Sequence, residues 1–292
     1  MSRDEHDLLL REIAGGETPV GPEAMDAREA AERQVTYNLL NQYGGILLFG
    51  DAVHQFYSDT IQEFSHQLSA VTSQLDQFSL HWHIVSLSRF YASFDLLRRG
   101  YYFESATLTR SLWEVALTLA GLKQNIVRLE ELFGGRTQGT ADRPAPRRVI
   151  EKVKEADRKI QKHLLWQNPA INDHDRDVLN VFCHLLNQSN HKSNLGLSVN
   201  VFRQGEGHSI PTVPIFVAEH AALAWNLLFQ AMWSLMVTLS YLHSLYPPAE
   251  SPWHNRYSKL LRICEYTSEY SPNDVVKGFA VIVEKVFRIP AV

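Results

Sequence analysis

The segment from Glu104 to Asn125, ESATLTRSLWEVALTLAGLKQN, has apolar side chains on most of the circumference of a helix. Only two charged residues, Arg110 and Glu114, lie between Glu104 and Lys123. Because a helix that is apolar on most sides needs other helices around it, we expect this one to be central. The segment therefore predicts an all-α fold, a multi-helix bundle with long antiparallel helices.

The chain before this segment is predicted to form three helices. Pro22 lies at the entry of the first, and the Gly44-Gly45 pair is expected to end it. The second helix carries an apolar seam with spacings of three and four residues from Val53 to Phe78. A third helix is expected from about Ser79 to Gly100, because two arginines precede that glycine, which can form the left-handed cap.

The predicted organisation is one helical domain with a few interruptions. Residues 1–24 are expected to be a flexible arm, and residues 25–292 a single helical domain with a mobile loop at 133–148. A charged helix is predicted over residues 147–165. Near residues 195–215, alternating apolar and polar residues followed by turn residues predict a small β-hairpin insertion.

The stretch 221–242 holds no charged residue and is long enough to span a membrane. Its polar residues recur at every fourth position and form one stripe on a helix: Asn226, Gln230, Ser234 and Thr238. Polar side chains are unfavourable on a face that contacts lipid, so we interpret the stretch as a buried helix of the bundle. No membrane partner is expected.

The composition is that of a globular protein without a strong charge bias. The 292 residues include 28 Lys and Arg and 32 Asp and Glu, for a formal net charge of -4 at pH 7. This balance gives no global electrostatic case for nucleic-acid binding. The first residues lack the apolar run of a signal peptide, and two cysteines are too few for a disulfide framework, so a cytoplasmic location is predicted.

Arg110 and Glu114 are one turn apart in TRSLWEVAL and share a helix face with Thr107 and Gly121. An unpaired charge in apolar surroundings is costly, so we expect the pair to be buried and bonded to each other and to a third polar group. Because buried ion pairs are more often structural than catalytic, an internal salt bridge is the favoured interpretation and a site is the alternative.

A second candidate lies on a helix expected from Asp173 to His191. One of its faces carries a polar stripe that ends in NQSNHKSN and contains Asp177, Asn180, His184, Asn187 and His191. A histidine among amides near a helix end can act as an acid or base, and the alternative is that the stripe is simply solvated. Arg110, Glu114 and His191 are accordingly the candidate catalytic residues.

Metal and nucleotide sites find little support in the sequence. Glu63 and His66 form one ExxH pair, but the second pair that a helical di-iron site needs is missing. The phosphate-binding, dinucleotide-binding, HExxH and GxSxG motifs do not occur. We therefore expect no metal and no cofactor, which leaves an interaction protein or a cofactor-free enzyme.

The run LLRRGYYFESATLTRSLWEVAL, followed about 70 residues later by LNQSNHKSN, resembles a family of uncharacterised, mainly bacterial all-helical proteins. The family pattern is a leucine-rich helix, a glycine, an alanine, RSLxE and a later S/H motif. The resemblance implies an all-α fold in which Arg110, Glu114 and His191 lie close together, and it implies no activity. A weaker likeness is to the HEPN ribonucleases and toxins, in which an arginine precedes a histidine by four to six residues. Arg158 and His163 have that spacing here.

Three functions follow as hypotheses. The leading one is a cytoplasmic helical bundle that acts through protein contacts, as a homo-oligomer or with another protein, because the common catalytic motifs are missing. The helix with the stripe from Asn226 to Thr238 would then lie in the core or at the subunit interface. The alternative is a metal-independent, HEPN-like ribonuclease or toxin of a bacterial defence system, with His191 as acid or base, Arg110 stabilising phosphate charge and Glu114 orienting the arginine. RNA is a partner only under this alternative. A third hypothesis is a pocket for an apolar ligand among the many aromatic residues.

Overall fold

The computed structural model describes residues 22–68, 74–132 and 146–190, with short pieces at 234, 253, 255–260, 262–263, 282–283 and 285–286. These residues form helices and the turns between them, and none of them lies in a strand. The all-α prediction is confirmed for this part of the chain. Residues 1–21 of the predicted arm at 1–24, residues 133–145 of the predicted loop at 133–148, and the hairpin at 195–215 lie outside the described residues. The remaining residues of the arm and the loop, 22–24 and 146–148, are helical.

The helices of the three long ranges are α1 Pro22–Leu68, α2 Gln74–Arg98, α3 Tyr102–Lys123, α4 Leu129–Leu132, α5 Pro146–Gln161 and α6 Asp173–Asn190, with a π-helical turn, Lys162–Trp166, directly after α5. The segment predicted to be central is α3, and it contacts α2, α5 and α6. Leu112, Ala116 and Leu119 are completely buried there. α3 is therefore the helix on which α2, α5 and α6 pack, whereas α1 packs on α2.

A single helix, α1, occupies a region where two helices were predicted. Gly44 and Gly45 lie inside it, so the boundary expected at this pair is wrong. A glycine in a helix interior costs about 1 kcal/mol relative to alanine. Buried side chains on both sides of the pair, among them Leu39, Leu47 and Val53, pack into the core and outweigh that cost.

The predicted start of α2 is wrong, and its predicted end is confirmed. The helix begins at Gln74 rather than at Ser79, so the apolar seam expected on one helix is divided between α1 and α2. Its end is confirmed, since Gly100 has a φ of 90°. The N–H groups of Gly100 and Tyr101 donate to carbonyls of the last turn at 3.1 and 2.8 Å, which is the Schellman cap.

Polar groups connect α2 to both of its neighbours inside the core. Towards α1, the phenol oxygen of Tyr57 lies 2.7 Å from Nδ1 of His83. Towards α3, Oγ of Ser93 lies 2.9 Å from Oγ of Ser105 and 3.1 Å from Oγ1 of Thr109. These small hydroxyl side chains satisfy one another, so the two helix backbones approach closely without leaving those groups unpaired.

A reciprocal capping box begins α6. The N–H of Asp175 donates to Oδ1 of Asn172 at 2.8 Å, and the N–H of Asn172 donates to Oδ2 of Asp175 at 3.0 Å. Nζ of Lys285 lies 2.5 Å from the same Oδ2 atom. The cap therefore also connects α6 to the C-terminal part of the chain.

Within the uncharged stretch 221–242, the structure describes Ser234. This residue is helical and completely buried, as predicted for the polar stripe, whereas the other stripe positions lie outside the described residues. Among the helices that the structure describes, none is both long and apolar enough to cross a membrane.

Candidate functional site

Arg110 and Glu114 form the predicted ion pair on α3. Nε of Arg110 donates a hydrogen bond to Oε1 of Glu114 at 2.9 Å. The expectation that the pair is buried is wrong, because the two side chains are 29% and 52% exposed. The packing around α3 leaves one exposed strip, which includes Glu104 and Thr107, and the two charged side chains extend along it. The expected third polar partner is not found among the described residues.

A cleft of about 420 Å³ lies beside this pair, between α2, α3 and α5. Its volume is within the range of small-molecule sites, which runs from about 300 to 1,000 Å³. Glu114 lines it. The apolar lining residues are Phe78, Trp82, Val115, Leu117, Leu132, Val153 and Ile160, and the other polar lining residues are Arg89, Ser111, Thr118, Asp157 and Gln161.

Helix geometry explains why these residues meet. Ser111, Glu114, Val115 and Thr118 recur at spacings of three and four, so α3 presents all of them on one face. α2 and α5 both pack on α3 and form the walls of the cleft. The sequence analysis identified Glu114 among these residues, but it did not place the residue in a cleft.

Charged groups of both signs line the cleft. The guanidinium of Arg89 lies over the ring of Trp82, 5.6 Å from its centroid. The pKa of Asp157 is raised, first by burial and then by the negative charge of Glu114. Arg89 and Asp157 form no salt bridge with any residue that the structure describes. The cleft therefore holds a cation and an anion that do not neutralise each other.

Sequence reasoning missed Arg89, Asp157 and Trp82. Arg89 is an isolated arginine in the mostly apolar α2, which is the one local signal that could have singled it out. Asp157 lies among many charged residues of α5, and nothing in the sequence distinguishes it from them. Its position becomes informative only because α5 packs beside Glu114.

Arg110 also faces α6, since its charge acts on Cys183 of that helix. The pKa of Cys183 is raised to about 11 by burial, against the opposing effect of Arg110. A thiol with this pKa is not ionised at neutral pH and is not an activated nucleophile. α6 ends at Asn190, and His191, the third candidate residue, lies outside the described residues. The proximity of His191 to Arg110 stays a prediction.

The remaining candidates lie on the surface. Asp177 and Asn180 of the polar stripe on α6 are exposed, as a solvated face would be. Arg158 and His163, a pair with HEPN-like spacing, are also exposed, on α5 and the π-helical turn. Glu63 of the ExxH pair is exposed, and across the described residues no group of three or more His, Cys, Asp or Glu could hold a metal ion.

A second surface feature is an apolar stripe on α1, formed by Tyr37, Leu40, Gly44 and Leu48, which we name the α1 stripe. These residues share one helix face, and the side chains of Tyr37, Leu40 and Leu48 are 61%, 41% and 68% exposed. A Cβ atom built on Gly44 would meet no atom of the described residues within 4 Å. Among the described residues, nothing fills the middle of the stripe.

Comparison with known proteins assigns the chain to no family: no family model matches it, and no curated protein or solved structure is significantly similar to it. The class of protein is therefore defined by the molecule itself, as an all-α protein with a ligand-sized cleft beside a surface ion pair.

Proposed function

We propose that the protein is a cytoplasmic helical bundle that acts through protein contacts as a homo-oligomer, and that two copies pair through the α1 stripe. The observation that supports this most is the exposed apolar face with an unobstructed glycine at its centre. Three large apolar side chains at helical spacing on one exposed face are typical of an interaction surface.

Gly44 supports an intermolecular contact because the described part of the chain gives no reason for it. A glycine inside a helix destabilises it by about 1 kcal/mol relative to alanine. In this protein an alanine at position 44 would have room, so internal packing of the described residues does not require the glycine. A second helix crossing at this point would require it, because the absence of a side chain lets two backbones approach closely.

The order of residues in the α1 stripe favours a second copy of this chain as the occupant. Leu40 and Leu48 are each four residues from Gly44, on opposite sides of it. In a two-fold, antiparallel crossing centred on Gly44, Leu40 of one copy therefore meets the partner's Leu48, and the reverse contact forms at the same time. The face is thus complementary to itself.

Polar groups at the ends of the stripe fit the same pairing. Tyr37 and Asp51 are each seven residues from Gly44, so the crossing brings the phenol of Tyr37 towards the partner's Asp51. Asp51 already accepts a hydrogen bond from Arg98 at 3.1 Å, and its other lone pairs can accept a phenol O–H. The apolar centre is then bordered by polar contacts, as in other protein interfaces.

The test is the molar mass in solution, measured by size-exclusion chromatography with light scattering over a range of protein concentrations. We expect a dimer that Leu48→Glu converts to a monomer, because the substitution places a charge against the partner's Leu40. Ile150→Glu is the matched control, since Ile150 is another exposed apolar residue, on α5. A monomer at every concentration, or equal effects of both substitutions, would contradict the proposal.

Gly44→Ala provides a second test, in which folding and pairing change in opposite directions. Alanine favours the helix by about 1 kcal/mol, so the monomer should become more stable to urea. The added methyl group lies where the partner backbone approaches, so the dimer should dissociate at a higher protein concentration. A dimer whose dissociation constant is unchanged would count against a crossing at Gly44.

The alternative function is a metal-independent, HEPN-like ribonuclease or toxin. One observation favours it: Arg110 reaches solvent, so its guanidinium is available to a phosphate. Against it, Glu114 already holds this guanidinium and Asp157 adds a second negative charge nearby. Expression of the wild type and of His191→Ala in cells tests this alternative. Growth inhibition and RNA cleavage that disappear in the variant would establish the nuclease and displace our leading proposal.

The finer architecture is also part of the proposal, namely long antiparallel helices and a β-hairpin near residues 195–215. The order of contacts supports antiparallel α1 and α2, because Thr36 bonds to the carbonyl of Arg98 whereas Tyr57 contacts His83. Later residues of α1 thus contact earlier residues of α2, as expected for antiparallel helices. A hairpin would give cross-strand amide contacts over 195–215 in an NMR spectrum, and their absence would refute it.

A further inference from the structure

The cleft between α2, α3 and α5 combines three kinds of surface on three different helices. Arg89 supplies a positive charge from α2, Glu114 and Asp157 supply negative charges from α3 and α5, and aromatic and aliphatic side chains line the rest of the space. Arg89 is half-buried, and Glu114 and Asp157 are exposed to solvent. Here no salt bridge joins Arg89 to Asp157 among the described residues, and both keep bonding capacity for another molecule.

The two carboxylates form the part of the cleft that suits a cation. Glu114 holds Arg110 through Oε1, and no described residue donates to its other oxygen. The negative charge of Glu114 acts on Asp157 and helps to raise the pKa of its carboxyl. A bound ammonium group would offset this repulsion and give both carboxylates a charged donor, which is the arrangement in which carboxylates bind most strongly.

Arg89 forms the part that suits a carboxylate. Its guanidinium contacts the face of Trp82, and this contact restricts the arginine without using its N–H groups. A guanidinium carries five N–H donors in a planar fork that matches a carboxylate in a bidentate manner. An arginine restricted in this way loses less conformational freedom when a carboxylate binds.

The rest of the lining suits an apolar body. Trp82 packs edge to face against Phe78, with ring centroids 5.9 Å apart, and Val115 and Ile160 line the same space. A volume of about 420 Å³ accommodates one small molecule with an aromatic or branched aliphatic group. A polyphosphate or nucleic-acid backbone fits poorly, because two carboxylates would oppose it and one arginine would attract it.

From this arrangement we infer that the cleft binds a small zwitterionic ligand with an apolar body, of the amino-acid type. Its ammonium group lies at Asp157 and Glu114, its carboxylate lies at Arg89, and its side chain lies against Trp82. This site uses α2, α3 and α5, so it is separate from the α1 stripe. The ligand site and the dimer interface can therefore be confirmed or refuted independently.

The experiment is saturation-transfer NMR and calorimetric titration of the full chain with L-phenylalanine, L-tyrosine, L-tryptophan, L-leucine and L-methionine. Two half-ligands accompany them: phenethylamine, which lacks the carboxylate, and 3-phenylpropionate, which lacks the ammonium group. We expect at least one amino acid to bind roughly ten-fold more tightly than either half-ligand, as the loss of a hydrogen bond to a charged group predicts.

Two substitutions assign the ends of the ligand. Arg89→Gln should remove the advantage of the amino acid over phenethylamine, and Asp157→Asn should remove its advantage over 3-phenylpropionate. Arg33→Gln and Glu151→Gln are controls at exposed ion pairs away from the cleft, and they should leave binding unchanged. Thermal melts by circular dichroism verify that all four variants fold.

Two results would overturn the inference. One is the absence of binding by every amino acid of the panel at millimolar concentration. The other is that phenethylamine binds as tightly as phenylalanine, because the carboxylate would then contribute nothing and the cleft would be a site for cations.

Discussion

Gly121 and Ile160 are in such close contact that a Cβ atom built on the glycine would lie 2.8 Å from Cγ1 of the isoleucine. Gly121 belongs to α3, and Ile160 belongs to α5 and lines the cleft. The absent side chain therefore sets how near α5 approaches α3, and with it the shape of the cleft. The backbone of Gly121 is part of a regular helix, where alanine would also be favourable. Tertiary packing alone therefore requires the glycine.

Gly121→Ala should destabilise the protein. Forcing a methyl group into this contact costs about 1 to 3 kcal/mol, and the gain of about 1 kcal/mol in helix propensity offsets it only in part. Urea unfolding followed by circular dichroism measures the difference. Gly44→Ala is the matched control, because alanine has room there and should raise the stability of the monomer. In an Ile160→Ala background the penalty of Gly121→Ala should disappear, and simple addition of the two penalties would contradict the contact.

Glu114→Gln should change the free energy of unfolding very little. The pair with Arg110 is exposed and spans one helical turn, an arrangement that contributes about 0.3 to 0.5 kcal/mol. A double-mutant cycle with Arg110→Gln, at low and high salt, measures the coupling between the two residues. A coupling of several kcal/mol that salt does not weaken would be the signature of a buried pair and would contradict the exposed position.

His83 should make stability depend on pH. Burial lowers the pKa of this fully enclosed imidazole from 6.5 to about 3. Between these values the unfolded chain binds a proton that the folded protein does not, so the free energy of unfolding falls as pH decreases from 6.5 towards 3. One such group contributes a slope of about 1.4 kcal/mol per pH unit.

The comparison that isolates this effect is the wild type against His83→Gln, which keeps a polar group for the phenol of Tyr57 and does not titrate. We expect the stability advantage of the wild type to be largest near pH 7 and to shrink steadily down to pH 4.5. Equal advantages at both pH values would show that His83 is not a buried neutral imidazole. Carboxylates titrate in both proteins and therefore cancel in the difference.

Asp175 combines a helix cap with a long-range ion pair, and substitutions can separate the two. Asp175→Asn keeps an oxygen for the N–H of Asn172 but loses the charge that Lys285 contacts. Asp175→Ala loses both and should cost more, by the roughly 1 kcal/mol that a cap contributes. In a Lys285→Gln background, Asp175→Asn should have little further effect. Equal losses for Asn and Ala would mean that the side chain does not cap the helix.

The same residue predicts a contribution at acidic pH. Burial acts to raise the pKa of Asp175, but the hydrogen bonds from Lys285 and from the backbone of Asn172 outweigh it and lower the pKa below 3.8. Its contribution to stability is therefore present above pH 3.8 and is lost as the pH falls through the lowered value. Thermal melts between pH 2 and pH 5 should show this loss in the wild type and not in Asp175→Asn.

The features that the sequence determined by itself are local. The apolar circumference of α3, the cap at Gly100 and the hydrogen bond from Arg110 to Glu114 all depend on residues within about two turns of one another. Hydrogen bonds of a helix and its caps close over three to five residues, so neighbouring residues are sufficient to predict them. The all-α class follows from the same local patterns.

Tertiary packing decided the remainder. It kept α1 continuous through Gly44 and Gly45, because buried side chains on either side outweigh two weak helix positions. It also left Arg110 and Glu114 at the surface. An apolar circumference predicts that a helix is surrounded, but not which strip its neighbours leave open. The cleft also depends on tertiary packing. Arg89 and Asp157 are distant in sequence, and they line one space only because α2 and α5 both pack on α3.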